Sequence, residues 1–134
     1  MGKRDGATAI LLFAHGSSVE EANQGVHDLA AKVQALGPYG YVRAAFLDVT
    51  RPTLADAVAE AVAAGKQRVI IIPFFLTLGI HLRRDLPNLV APIQQAHPQL
   101  EIEVGQSLEG HPLMADLILS RIEEVASTRR RTES

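Results

Sequence analysis

The chain contains no cysteine and no tryptophan, and aromatic residues make up only 4% of its 134 residues. Without cysteine, disulfide bonds, iron–sulfur clusters and thiolate zinc sites are excluded, and nothing argues for an oxidising compartment. With so few aromatic residues, the core must be built from aliphatic side chains. Imidazole and carboxylate groups remain as the candidate metal ligands.

A strong charge of one sign and a long hydrophobic run are also absent. The formal net charge of −2 gives no electrostatic reason to expect nucleic acid or an anionic membrane as partner. The longest run with few interruptions, 69–82, is too short to span a bilayer and contains Pro73 and Gly79. The basic and then apolar N-terminus has no small-residue cleavage site, so we expect a cytoplasmic protein.

Apolar runs and helical patterns alternate along the chain, which predicts an α/β fold. The predicted strands are Ala7–Ala14, Tyr41–Leu47, Arg68–Pro73 and Leu100–Val104. The predicted helices are Glu20–Leu36, Thr53–Ala64, Leu86–Ala96 and Pro112–Ser127. We expect one domain over residues 1–128, an open parallel four-stranded sheet with helices on both faces, and a disordered tail at 129–134.

Local signals predict where the first two helices begin and where the third is kinked or shortened. Ser17 or Ser18 is suited to cap the first helix. Thr53 or Pro52 is suited to begin the second. Pro92 is expected to kink or shorten the third, because proline lacks the amide hydrogen that a helix interior needs.

Ligands of parallel α/β folds bind outside the carboxyl ends of the strands, so the four strand-to-helix connections are where a site is expected. Their polar residues are His15, Gly16, Ser17 and Ser18, then Asp48 and Arg51, then His81, Arg83, Arg84 and Asp85, and finally Ser107, Glu109 and His111. Two imidazoles and a carboxylate at one edge can bind a divalent metal and accept protons near neutral pH.

Each of these polar residues also has a structural interpretation. A histidine such as His15 at a strand end is often a hydrogen-bonded structural residue, and Asp48 suits a turn. His27 and His97 lie on a predicted helix face and at a helix end. His111 precedes a proline and is suited to shape the start of the last helix.

The third connection, predicted as a loop over 74–84, is unusually apolar. Its apolar residues are Phe74, Phe75, Leu76, Leu78, Ile80 and Leu82. Such a loop suggests a binding surface, a lid or a subunit contact, and it suits a large flat hydrophobic ligand with polar edges. The arginines expected to face carboxylates at its rim are Arg43, Arg51, Arg83 and Arg84.

Four segments in combination carry a family resemblance. They read LLFAHGSS from residue 11, AFLDVTRPTL from 45, VIIIPFFLTLGIHLRRDLP from 69 and GHPLMADLILSRIEEV from 110. In this order and spacing they resemble the small form of the CbiX chelatases, the ATP-independent class II sirohydrochlorin chelatases. The resemblance extends from about Ala9 to about Val125.

This resemblance implies a lyase-class enzyme that inserts a divalent metal, expected to be cobalt, into the tetrapyrrole sirohydrochlorin. The product leads to cobalamin or sirohaem, or to coenzyme F430 with nickel. The resemblance implies no ATP and no cofactor beyond the metal substrate (Co²⁺, Fe²⁺ or Ni²⁺). Because larger class II enzymes contain two such domains in one chain, it also implies a homodimer.

The resemblance also assigns roles to residues. His15 and His81 match the two metal-binding histidines, and Asp48 stands where the commoner pattern has glutamate. These three are the expected catalytic residues. The residues expected to contact substrate are Ser17, Arg51, Phe75, Leu78, Gly79, Arg83 and Arg84.

Two other functions are open at this stage. One is a non-catalytic metal- or tetrapyrrole-binding protein of the same fold, which the departure at Asp48 favours. The other is a histidine-phosphatase-type enzyme, whose chemistry needs an arginine immediately before the histidine, where this chain has Ala14. Imidazole and carboxylate ligands accept cobalt, nickel and ferrous iron alike, so the residues do not fix the metal.

Overall fold

The computed structural model describes residues 6–77 and 79–133, without the side chains of Ile80, His81 and residues 129–133. Strands and helices alternate along the described chain. The strands are β1 (Thr8–Ala14), β2 (Val42–Phe46), β3 (Arg68–Pro73) and β4 (Glu101–Val104). The helices are α1 (Glu20–Leu36), α2 (Leu54–Ala63), α3 (Ile80–Ala96) and α4 (Leu113–Glu133). The four strands, α1 and α2 lie within one residue of the predicted bounds at either end.

The four strands form one open parallel sheet in the order β2-β1-β3-β4, as predicted. β1 lies in the middle, where Phe13 is paired with Ala45 on one side and Pro73 on the other. All seven residues of β1 are buried, which is expected of a parallel strand covered on both faces. The sheet therefore holds the carboxyl end of β1 from both sides.

The two faces of the sheet are covered unequally. α1 packs on one face through Val26 and Ala30, whereas α2 and α3 pack on the other. β3 shows the difference, because Val69 and Ile71 are buried beneath α2 and α3 while Ile70, on the face of α1, is only half-buried. A single helix is too narrow to cover four strands, so part of the β3 surface stays open.

A capping box starts α2 directly after the second connection. The Thr53 side chain accepts a hydrogen bond from the amide of Asp56, and the Asp56 carboxylate accepts one from the amide of Thr53. These two bonds satisfy amides that the first helical turn leaves without partners. The prediction that Thr53 or Pro52 begins the second helix is confirmed.

The predicted start of α3 at Leu86 is wrong, because the helix begins at Ile80. Pro87 and Pro92 both lie inside the helix, and Pro92 does not shorten it. Leu86 and Ile93 are buried against the sheet, and this packing outweighs the local cost of proline. The third connection is therefore shorter than predicted, and its polar residues lie on the first turns of α3.

α4 departs furthest from expectation. It continues to Glu133, past the predicted end at Ser127 and into the segment where disorder was expected. Its large apolar side chains are 53% to 72% exposed, so none of them packs on a face of the sheet. They are Leu113, Leu117, Ile118, Leu119, Ile122 and Val125. Within the described chain, no helix is both long and apolar enough to cross a membrane.

The capping box of α2 yields a stability prediction. Thr53→Ala removes the acceptor for the Asp56 amide and should lower the free energy of unfolding by about 1 kcal/mol. Thr50→Ala, a few residues earlier in the same connection, is the matched control. Urea unfolding followed by circular dichroism measures both. An equal effect of the two substitutions would contradict the role of the box.

Candidate functional site

The carboxyl ends of β1 and β3 form the point where the chain reverses its direction across the sheet. From β1 the chain continues through α1 to β2, and from β3 it continues through α3 to β4, on the opposite side. The two ends are tied together, because the amide of Phe74 donates a 2.7 Å hydrogen bond to the carbonyl of Phe13. This is the place where doubly wound sheets bind ligands. His15 follows β1, and His81 lies in the first turn of α3 after β3.

The imidazole of His15 is exposed and supported on one side. Its ring meets the ring of Phe75 edge-on, with the centroids 4.8 Å apart. Phe75 in turn contacts Phe13 in the core, with the centroids 6.1 Å apart, and is only 7% exposed. Phe75 was expected to offer its ring to the substrate, but it is held in the core and supports His15 instead. Its contact restricts the directions that the His15 side chain can take.

The turn after β1 fits closely against the connection after β2. Gly16 has a φ of +91°, and a Cβ built on it would lie 2.0 Å from the carbonyl oxygen of Asp48. Only glycine fits both the positive φ and the close approach. The amide of Asp48 also donates a 3.0 Å hydrogen bond to the carbonyl of His15. The first two connections therefore form one rigid unit at the edge of the sheet.

Asp48 is exposed beside this turn, as expected for a residue that contributes to a site. Its Oδ1 accepts a 2.8 Å hydrogen bond from the amide of Val49. Val49 has a φ of +74°, an unfavourable conformation for a β-branched residue. The carboxylate is thus oriented by its own backbone, at a position where the backbone is strained.

Ser17 does not cap α1. The residue at the N-cap position is Val19, and it makes no side-chain cap. The Ser17 hydroxyl accepts a 2.9 Å hydrogen bond from the amide of Val19, which orders the turn before the helix. The prediction that Ser17 or Ser18 caps the helix is wrong, although the predicted start of α1 at Glu20 is confirmed.

Asn23 is a site residue that the sequence reasoning missed. Its side chain is buried and binds both the amide and the carbonyl of Ser17. A signal for it exists in the sequence, because Asn23 lies three and seven residues before Val26 and Ala30, on the face of α1 that packs on the sheet. A polar residue on such a face needs a hydrogen-bonding partner.

The arginines expected at the rim separate into three groups. Arg43 stacks on the ring of Tyr41 near the amino end of the sheet, so its assignment to the rim is wrong. Arg51 and Arg83 lie at the expected edge, and each is 3.2 Å from a carboxylate, of Asp56 and Glu109 respectively. Arg84 is exposed and makes no ion pair with the part of the chain that the structure describes.

A groove of about 670 Å³ opens beside the carboxyl ends of β3 and β4. Its lining is mostly apolar and includes Leu86, Val90 and Val104. Ser107 and Glu109 of the fourth connection lie at the same groove. Gly79 is exposed at the N-cap position of α3.

The remaining histidines serve structural roles. His111 accepts a hydrogen bond from the amide of Leu113 at the start of α4, which fits its structural interpretation. The ring of His27 packs edge-on against Phe46, and His97 is the C-cap residue of α3.

No three His, Asp or Glu side chains lie close enough to hold a metal ion among the residues that the structure describes. The His81 side chain and the whole of Leu78 lie outside those residues. The pairing of His15 with His81 therefore stays a prediction. What the structure places is His15 itself, with an exposed imidazole at the reversal point and an adjacent carboxylate at Asp48.

Several proteins named as sirohydrochlorin chelatases are similar to this chain in sequence. The sirohydrochlorin cobaltochelatase of Methanopyrus kandleri is 25% identical over an alignment of 136 positions, gaps included. The alignment covers 87% of this chain and 95% of the relative. The cobaltochelatase of Methanococcoides burtonii is 28% identical over 124 residues, with the same coverage. The chloroplastic sirohydrochlorin ferrochelatase of Arabidopsis thaliana is 28% identical over 121 residues, and this chain spans 54% of its length.

Solved structures share the fold. A CbiX protein of Marinobacter aquaeolei, described as a putative cobalamin biosynthesis protein, superimposes with a TM-score of 0.78 at 24% identity, over 90% of this chain and 98% of its own. The sirohydrochlorin chelatase SirB of Bacillus subtilis subspecies spizizenii, in complex with cobalt, gives 0.80 at 23% identity, over 89% of this chain and 51% of its own. The sequence profile of the CbiX family matches residues 9–125. Because this match extends over most of the chain, the chain belongs to the CbiX family.

Proposed function

We propose that this protein inserts a divalent metal, with cobalt as the expected ion, into sirohydrochlorin. The observation that carries the proposal is the placement of two histidines after the two strands that flank the reversal point. Relatives named as sirohydrochlorin cobaltochelatases that match most of their own length support the same substrate. The proposed path leads to cobalamin or sirohaem and uses no ATP.

Metal insertion requires two changes at the site. The macrocycle loses two pyrrole protons while a hydrated metal ion loses its water ligands. A neutral imidazole holds the ion with coordination positions left open and then releases it to the ring nitrogens. His15 and His81 are the proposed pair; the one not bound to metal accepts one pyrrole proton, and Asp48 or solvent water accepts the second. The exposure of His15 lets its imidazole reach a flat substrate lying across the edge of the sheet.

Asp48 supports this chemistry from the second connection. Its side chain is one methylene shorter than the glutamate of the commoner pattern, and its Oδ1 is engaged with the amide of Val49. A role through an intervening water, or in orienting an imidazole, suits this geometry better than direct ligation. We therefore propose that Asp48 orients an imidazole or takes up a proton.

The carboxylates of the substrate need cationic partners, and Arg84 is the first that we propose. Arg51 and Arg83 are held by Asp56 and Glu109, but those pairs are solvent-exposed and worth at most about 1 kcal/mol each. A substrate carboxylate can displace such a partner at little cost. Ser17, Leu78 and Gly79 complete the proposed substrate contacts.

We also propose that the active form is a homodimer held together by α4. Six large apolar side chains of α4 are 53% to 72% exposed. An exposed apolar patch of this kind marks an interaction surface.

The occupant that fits the apolar side of α4 is a second copy of the chain. Each copy offers one exposed apolar helix and one sheet face that α1 alone leaves half-covered at Ile70 and Ile72. If each α4 packs over β3 of the other copy, the contact repeats by a twofold axis and closes. Each half-exposed leucine or isoleucine buried in this way contributes about 1 kcal/mol.

The histidine proposal predicts loss of turnover in single variants. His15→Ala and His81→Ala should each abolish multiple-turnover insertion, because each removes a proposed metal ligand or base. Insertion is followed by the absorbance change of sirohydrochlorin in separate anaerobic reactions with Co²⁺, Fe²⁺ and Ni²⁺. His97→Ala, at the C-cap of α3, is the control and should retain wild-type turnover.

Two outcomes would overturn this proposal. Full activity in a folded His15→Ala or His81→Ala protein would remove that residue from the mechanism. Binding of sirohydrochlorin by the wild-type protein without turnover with any metal would make it a tetrapyrrole-binding protein.

The dimer proposal predicts the mass in solution. Wild-type protein should sediment as two chains, and the double variant I118E/I122E as one, because it places carboxylates in the apolar side of α4. Ser120→Glu adds a charge on the opposite side of the same helix and should leave the dimer intact. Analytical ultracentrifugation at micromolar concentration measures the mass of each protein. A wild-type protein of single-chain mass would refute the proposal.

A further inference from the structure

We propose that Asn23 is a positioning residue that sets the direction of the His15 imidazole for metal insertion. The inference rests on the proposed chelatase function and on His15 as a metal ligand. Asn23 touches neither the metal nor the macrocycle in this proposal. It acts through the backbone of Ser17, which it holds at two points.

The carboxamide of Asn23 forms a two-point clamp. Its Nδ2 donates a 2.8 Å hydrogen bond to the carbonyl of Ser17, and its Oδ1 accepts a 2.9 Å hydrogen bond from the amide of the same residue. Two parallel bonds to one residue fix both the position and the plane of its backbone. Asn23 is 2% exposed, so water cannot easily replace either bond.

The clamp extends outside the helix that carries it. Asn23 lies in the first turn of α1, whereas Ser17 lies before the N-cap residue Val19. The bonds therefore do not serve the amides of α1 itself, which a capping side chain would do. They tie α1 to the turn that links it to β1.

The geometry requires a carboxamide of this length. Asparagine presents a donor and an acceptor on one planar group. Aspartate lacks the donor for the Ser17 carbonyl, an aliphatic side chain lacks both groups, and glutamine is one methylene longer. Packing alone does not explain Asn23, because an aliphatic residue would serve the buried face of α1 equally well.

The turn that carries His15 is thus held from two sides. On one side the amide of Asp48 binds the His15 carbonyl, and Gly16 packs against the Asp48 carbonyl. On the other side Asn23 holds Ser17. Among the described residues the exposed imidazole contacts the ring of Phe75, and the two backbone restraints set the point from which its side chain projects. Metal sites need their ligands within about 0.5 Å and 10–20° of the productive geometry.

The inference predicts a defect in chemistry and in metal geometry. Asn23→Ala should lower kcat and the affinity for Co²⁺ by about 10- to 100-fold, the usual effect of losing a group that orients a metal ligand. The KM for sirohydrochlorin should rise by a smaller factor than kcat falls, because Asn23 does not contact the macrocycle and the released Ser17 is only one of several proposed substrate contacts. The visible absorption spectrum of bound Co²⁺ should shift, because the His15 nitrogen no longer has a fixed direction.

A matched control separates positioning from stability. Val26→Ala removes a buried side chain one turn further along the same face of α1 and leaves the clamp intact. It should lower the thermal midpoint but leave kcat and the Co²⁺ spectrum unchanged. Asn23→Asp preserves the side-chain shape without the donor, and it should also reduce kcat. If Asn23→Ala does not fold, the kcat of Asn23→Asp tests the inference in its place.

The possible results distinguish failure of this inference from failure of the proposed function. If wild-type protein shows no turnover, the chelatase proposal fails and the inference fails with it. If wild-type protein turns over and folded Asn23→Asp and Asn23→Ala match its kcat and Co²⁺ spectrum, the inference alone is refuted. A loss of activity in Val26→Ala as large as in Asn23→Ala would also refute it, because stability would then explain both.

Discussion

The close approach of Gly16 to Asp48 is the constraint on which the candidate site depends. The 2.0 Å that would separate a Cβ at residue 16 from the Asp48 carbonyl leaves no space for any side chain. Because residue 16 has none, the connection after β2 can lie directly against the turn after β1. The inner strand β1 is buried on both faces and paired on both sides, so this contact is built on a firmly held strand end. The histidine, the carboxylate and the reversal point are brought together by backbone contacts.

The sequence predicted those parts of the fold that local patterns determine. The continuous apolar runs of β1 and β3 and the helical spacing of α1 lie where expected, because β1 is buried on both faces, β3 is buried on one face, and α1 packs its apolar side on the sheet. The start of α3 was not predictable in this way. Pro87 argues locally against a helix, and only the burial of Leu86 and Ile93 against the sheet, a tertiary effect, favours one.

The candidate site, like the fold, could be predicted from the sequence only in part. The exposed His15 and Asp48 at the carboxyl edge follow from the strand-to-helix pattern and the rule for parallel sheets. The burial of Phe75 does not follow from the sequence, because an apolar residue in a connection has the same sequence signal whether it faces a ligand or the core. Asn23 was missed because it lies on a helix and outside every connection, although its place on the buried face of α1 marks it as a group with a fixed partner.

If the proposed dimer forms through α4, the stability of the fold depends on protein concentration. The large apolar side chains of α4 are exposed among the described residues, and the local support of the helix includes the pairing of Arg121 with Glu124 and of Ser127 with Glu123. Helices in proteins gain most of their stability from tertiary packing of an apolar side, since nucleation is costly and each such pair adds only a few tenths of a kcal/mol. The order of α4 is therefore coupled to whatever covers it. Mass action then links folding to association, so the melting temperature should depend on concentration in a way that it does not for a self-contained domain.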